Sequence, residues 1–154
     1  MAEKMKDSGI EWIGKIPEGW EVKKIRFVSK TRSEKGLYNP EKDRYIGLEH
    51  IESSCGRLCE ADSFYEDEAI YDKFYKGDLL FNKLRPYLEK IYIAEFDGFC
   101  TSELINFKYF DGYTRYFYYV LFSNRFLETV NSSTYGTKMP RASWDFIKNL
   151  KIIF

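Results

Sequence analysis

The sequence has little that would take it across a membrane or stabilise it outside a cell. No apolar run approaches the roughly 20 residues that cross a bilayer, and the opening MAEKMKDSGIEW carries no apolar signal-peptide core. The expected setting is therefore cytoplasmic, with no membrane partner. Cysteine is sparse: Cys55, Cys59 and Cys100 make an odd set, so reduced thiols are expected rather than a disulfide framework. His50, Cys55 and Cys59 do not make a zinc site on this pattern, because zinc sites present two compact ligand pairs and Cys100 stands alone and distant. Net charge is also missing, since 24 Lys and Arg balance 24 Asp and Glu. A simple polyelectrolyte grip on nucleic acid is thereby excluded.

Enzyme signatures are missing as well. There is no GxxxxGK[ST] phosphate loop, no GxGxxG and no HExxH helix. The tetrapeptide of adenine methyltransferases, of the NPPY or DPPW kind, does not occur. An acid, acid-x-Lys arrangement of the nuclease kind is met only as Asp7 with Glu21-Val22-Lys23, a pattern that arises often by chance. His50 is the single histidine, and no serine or cysteine partner is implied for it. The expectation is a chain that binds, with no catalysis and no cofactor of its own.

What is present is a foldable domain of 154 residues, 44% apolar and 19% aromatic. That length suits one core, and no repeat or linker divides it. Charge is segregated along the chain. Residues 23–35 hold six basic residues against Glu34 alone, whereas residues 60–72 hold six acids and no base. From Asn106 onward seven basic residues face three acids. A neutral sum can therefore conceal a basic face and an acidic face.

Short segments rich in β-branched and aromatic residues predict strands at 45–51, 79–84, 90–94 and 103–107, with Gly77-Asp78 and Asp97-Gly98 as turns. Helical spacing of Phe117, Val120, Leu121, Leu127 and Val130 predicts one helix over 114–130. Ser143 predicts the N-cap of a short helix with Asp145 in its first turn, followed by a strand at 151–154. Strands and helices do not alternate regularly. The fold class expected is α+β, a curved, largely antiparallel sheet packed with helices.

Three segments resemble the specificity subunits of type I restriction-modification systems. They are SGIEWIGKIPEGWEVKKIRFV (8–28), GDLLFNKLRPYLEKIYIAEFDGFCTSELI (77–105) and YGTKMPRASWDFIKNLKIIF (135–154). The resemblance covers essentially the whole chain and implies a single target-recognition domain over residues 1–154, with a DNA methylase specificity domain-like fold. A full subunit in that family carries two such domains, each reading half of a split target, joined by helices that act as a ruler and dock the methyltransferase. No heptad pattern occurs here, so the spacer helix is expected to be absent. The resemblance further implies double-stranded DNA and the modification and restriction subunits as partners.

Two loops are candidates for the DNA surface. In Asn82–Leu88, the apolar Leu80, Leu84 and Leu88 are core candidates, while Lys83, Arg85 and Tyr87 are offset from them and Pro86 ends the strand. In residues 132–141, hydroxyls accompany Tyr135, Thr137, Lys138 and Arg141, with Gly136 and Pro140 shaping the backbone. Hydroxyls and lysines suit phosphates, and an arginine fork suits guanine O6 and N7. Arg141, after Pro140, is the expected base reader, with Lys83 and Lys138 on phosphates. The alternatives are a protein- or carbohydrate-binding module, favoured by a neutral aromatic cleft, and a metal-dependent nuclease, which requires converging carboxylates.

Overall fold

The structure, a computed structural model, describes residues 4–11, 13–60, 69–110, 114–136 and 139–153. In chain order the elements begin with β1 (Met5–Asp7), β2 (Lys15–Pro17), β3 (Val22–Lys24), α1 (Ile25–Val28), β4 (Ser29–Thr31), β5 (Lys35–Leu37) and β6 (Tyr45–Ile46). There follow β7 (Ile70–Phe74), β8 (Leu79–Asn82), β9 (Ile91–Ile93), β10 (Gly98–Cys100) and β11 (Leu104–Phe110). The chain then runs through α2 (Thr114–Phe122), α3 (Asn124–Ser132), α4 (Trp144–Ile147) and β12 (Lys151–Ile153).

Strand β8 shows why the core forms where it does. All four of its residues are buried, and the two-residue period of a strand sends them to opposite faces. Leu79 and Phe81 meet the helices, packing with Ile105, Phe107, Phe117, Leu121, Phe126 and Val130. Leu80 turns the other way and joins Ile46, Phe74, Tyr92 and Cys100. Its edges are paired as well, since β8 lies between β11 and β9 in the antiparallel order β4-β11-β8-β9. Its second face is covered by the sheet β5-β7-β10-β6, antiparallel except for the parallel pair β10 and β6. The architecture is α+β with largely antiparallel pairing, as the sequence suggests, arranged as two four-stranded sheets with helices on one side. Smaller pairings, β1 with β2 and β3 with β12, complete it.

The expectation of one helix over 114–130 needs correction. Two helices occupy the segment, broken at Ser123, whose backbone is extended (φ −63°, ψ 141°). Its hydroxyl donates to the Val120 carbonyl at 2.7 Å and accepts the Phe126 N–H at 3.4 Å, capping α3. The buried residues explain the break: Phe117 and Leu121 are four apart, as are Phe126 and Val130, but Leu121 and Phe126 are five apart. A straight helix would rotate the second set off the core, so the turn resets the phase. The predicted cap at Ser143 is present, accepting from Phe146 N–H at 3.2 Å, with Asp145 in the first turn. Most of the aromatic run 109–126 serves packing, with Phe110 stacked on Phe117 at 4.6 Å.

Two buried amides tie the layers. Asn106 of β11 donates to the Lys73 carbonyl of β7 at 3.0 Å, linking the sheets through an otherwise apolar interior. Beside it lies the thiol of Cys100, which burial pushes up to about 12. A neutral, enclosed thiol of this kind is a packing residue. Asn82, the other buried amide, ends β8 and shapes the loop that follows.

Candidate nucleic-acid interface

The segment after β8 is held from below by Asn82. Its side-chain N–H groups donate to the carbonyls of Leu84 and Arg85, both at 3.0 Å, and its side-chain oxygen accepts the Lys90 N–H at 3.2 Å. Both sides of the loop 83–90 are thus closed onto one fully buried amide. Within it, Pro86–Leu88 form a single 3-10 turn flanked by Arg85 (φ 49°) and Glu89 (φ 53°), both left-handed. Such positions cost an ordinary residue about 1 kcal/mol or more and persist only where neighbouring bonds enforce them. Here Asn82 holds the Arg85 carbonyl, while Ser54 N–H donates to the Glu89 carbonyl at 2.9 Å. Leu80 and Leu84 are buried and Leu88 half-buried, while Tyr87 is exposed and Lys83 and Arg85 are half-buried.

The second loop folds back onto the first. Tyr135 and Arg141 exchange main-chain hydrogen bonds at 3.2 and 3.1 Å, closing the loop between them. Gly136, at φ +90°, supplies the turn that an L side chain would resist. Arg141 also bridges Leu84, Arg85 N–H donates to the Pro140 carbonyl at 2.7 Å, and Ala142 N–H donates to the Lys83 carbonyl at 2.9 Å. Two segments more than 50 residues apart in the sequence therefore form one continuous backbone surface. Tyr87, Tyr135 and Met139 are exposed on it. Thr137 and Lys138, also expected at this surface, lie outside the described residues.

Arg141 is not a bare cation. Its Nε lies 3.1 Å from both carboxylate oxygens of Glu103, and its Nη2 lies 2.8 Å from Oε1. The carboxylate holds the guanidinium still more firmly in its charged form. Lys83 lies between them through its main chain, its N–H donating to the Glu103 carbonyl at 2.8 Å. Its ammonium makes no ion pair among the described residues. The sequence singled out the cations of this surface but neither Asn82 nor Glu103. A polar amide ending an apolar run was a readable signal for Asn82; nothing local marks Glu103.

Several other basic residues are occupied elsewhere. Arg32 is bound to Asp78 at 2.8 Å and lies over the Tyr75 ring, Lys35 pairs with Asp72, and Lys73 with Glu34. Lys90 donates to the Leu48 carbonyl, and Lys148 pairs with Asp145 one helical turn away. Glu21 is paired with Lys23 at 3.2 Å, and among the described residues no three His, Cys, Asp or Glu side chains cluster as metal ligands.

Comparison with known proteins gives this surface its context. No protein-family model matches the chain. Over 131 residues it is 29% identical to the type I restriction enzyme EcoDI specificity subunit of Escherichia coli. That alignment takes in 82% of the chain and 29% of the relative. The likeness is to type I restriction-modification specificity subunits. Solved structures agree in fold: the HsdS subunit from Thermoanaerobacter tengcongensis superposes with a TM-score of 0.66 at 20% identity, over 90% of this chain and 38% of that one. A chain from a type I R-M complex-assembly structure gives 0.68 at 18% identity, again over 90% and 38%. The S subunit from M. genitalium gives 0.55 at 14%, over 88% and 34%. The chain thus spans about a third of the length of these proteins.

Proposed function

We propose that this chain reads double-stranded DNA as a single target-recognition domain, residues 1–154, of a type I restriction-modification specificity subunit. It recognises one half of a bipartite target and leaves chemistry to methyltransferase and restriction subunits in the cytoplasm. The observation that carries this reading is the joining of loops 83–88 and 135–142 into one surface, in a domain whose sequence and fold resemble those subunits. On that surface Lys83 and Lys138 contact phosphates, while Tyr87, Tyr135 and Thr137 add contacts along the backbone and Arg85 and Arg141 approach the bases. A rigid backbone presenting a few cations suits sequence reading better than bulk attraction does, since phosphate contacts position and base contacts specify. The neutral total charge fits the same division.

The test is a binding selection from random duplexes, with the chain joined to a spacer helix and a methyltransferase partner. A short fixed sequence should be enriched, and its affinity should fall with salt. Retention of no duplex, or retention without any sequence enrichment, would reject the reading in favour of a protein- or carbohydrate-binding module.

A further inference from the structure

We propose that Glu103 is a positioning residue for base reading: it grips Arg141 by one edge so that the other edge of the guanidinium meets a guanine in duplex DNA. This inference rests on the DNA-reading function proposed above and names the device that gives it specificity.

The guanidinium is a rigid plane with five N–H donors. All three of its bonds to Glu103 use the edge formed by Nε and Nη2. Nη1 makes no hydrogen bond among the described residues, and the Arg141 side chain keeps 39% of its surface exposed. The end-on pair, Nη1 and the outer N–H of Nη2, is therefore the one left to a ligand. Two parallel donors of that geometry match the O6 and N7 acceptors on the major-groove edge of guanine.

Both partners are fixed at the backbone. Glu103 N–H donates to the Thr101 hydroxyl at 3.2 Å, and the Glu103 carbonyl accepts from Lys83 N–H. Arg141 is clamped between Tyr135 and Leu84. A planar fork held in this way loses little freedom on binding. Glu103 also cancels the charge of Arg141, so the pair contributes little to attraction for phosphates of any sequence. The carboxylate thus favours the right base and disfavours indiscriminate contact.

The experiment uses the chain in the same assembly with the methyltransferase partner, together with its selected duplex, single-base variants of that duplex and an unrelated duplex. Glu103→Gln should lower discrimination at one guanine position by roughly tenfold or more. The same variant should bind the unrelated duplex more tightly, with a steeper salt dependence. Without DNA, the Arg141 Nε–H resonance should exchange slowly with solvent in the wild type and quickly in Glu103→Gln. Arg141→Lys keeps the charge and lacks the planar fork, so it should lose discrimination at the same position; it decides the matter if Glu103→Gln does not fold. Unchanged discrimination in a folded Glu103→Gln, or in Arg141→Lys, overturns the positioning role and leaves DNA reading intact. Failure of the wild type to bind any duplex overturns the proposed function itself.

Discussion

Each end of strand β8 carries an arginine held by a carboxylate, and the two pairs do opposite work. At the N-terminal end Asp78, 3% exposed, takes Arg32 at 2.8 and 3.2 Å and also accepts the Tyr75 N–H at 3.0 Å. At the other end Glu103 holds Arg141 with similar distances, but the side chains are 25% and 39% exposed. Similar bonds in different surroundings have different consequences. An enclosed carboxylate such as Asp78 is committed to the fold, because removing Arg32 would leave its charge uncompensated. A pair in contact with water contributes little to stability and remains open to a ligand.

The sharpest way to break the comparison is at the enclosed end. Asp78→Ala leaves Arg32 with only the more distant carboxylate of Glu34, at 3.7 Å, and leaves the Tyr75 N–H without its acceptor, so it should destabilise the fold by about 2 kcal/mol. Urea denaturation followed by tryptophan fluorescence measures this. A loss no larger than that of a surface substitution would place the two pairs in the same class.

Of similar size is Asn82→Ala, which should cost about 2 kcal/mol by leaving two carbonyls and one N–H of the loop 83–90 without their buried partner. Here the effect should be local as well as global. In hydrogen exchange the Lys90 amide should lose protection while the amides of β8 pairing with β11 keep most of theirs. Equal loss across both would mean that Asn82 supports the sheet and not the loop.

Arg141→Ala should leave stability nearly untouched, because its partner can be solvated. Its effect belongs to recognition: affinity for the selected duplex should fall roughly tenfold or more, at one base position only. Competition binding with single-base variants separates this from a uniform loss, which would assign Arg141 to the DNA backbone.

The contrast between the two arginines also shows where the sequence was legible. Short runs rich in β-branched and aromatic residues placed β8, β9 and β11, and a serine cap placed α4, because these signals act over a few residues. The α2–α3 break was less legible: Phe117, Val120, Leu121 and Leu127 suit one helix, and only the phase of Phe126 and Val130 reveals the turn at Ser123. Strands such as β5 and β10, three residues long and containing glycine, have no local signature and exist because their partners pair with them. For charge the limit is sharper. Arg32 counted toward a basic segment in the sequence and is spent on Asp78, 46 residues away. The two loops of the candidate surface were visible as separate stretches. Their union through Lys83, Arg85, Pro140 and Ala142 was not, since main-chain hydrogen bonds leave no mark on side-chain identity.

Lys83 is where that last distinction can be tested with the smallest change. Its N–H and carbonyl are committed to Glu103 and Ala142, so its backbone belongs to the scaffold. Its ammonium makes no ion pair among the described residues, so its side chain is available to a phosphate. Lys83→Ala keeps the main-chain bonds and removes only the charge. Stability should therefore hold to within about 0.5 kcal/mol, the range of ordinary surface substitutions. Binding should weaken by a similar factor for the selected and the unrelated duplex, because a phosphate contact carries no base information. The slope of log affinity against log salt should become shallower by about one, for the one counterion no longer released. A loss confined to one base position would instead make Lys83 a reader and move the phosphate contact elsewhere on this surface.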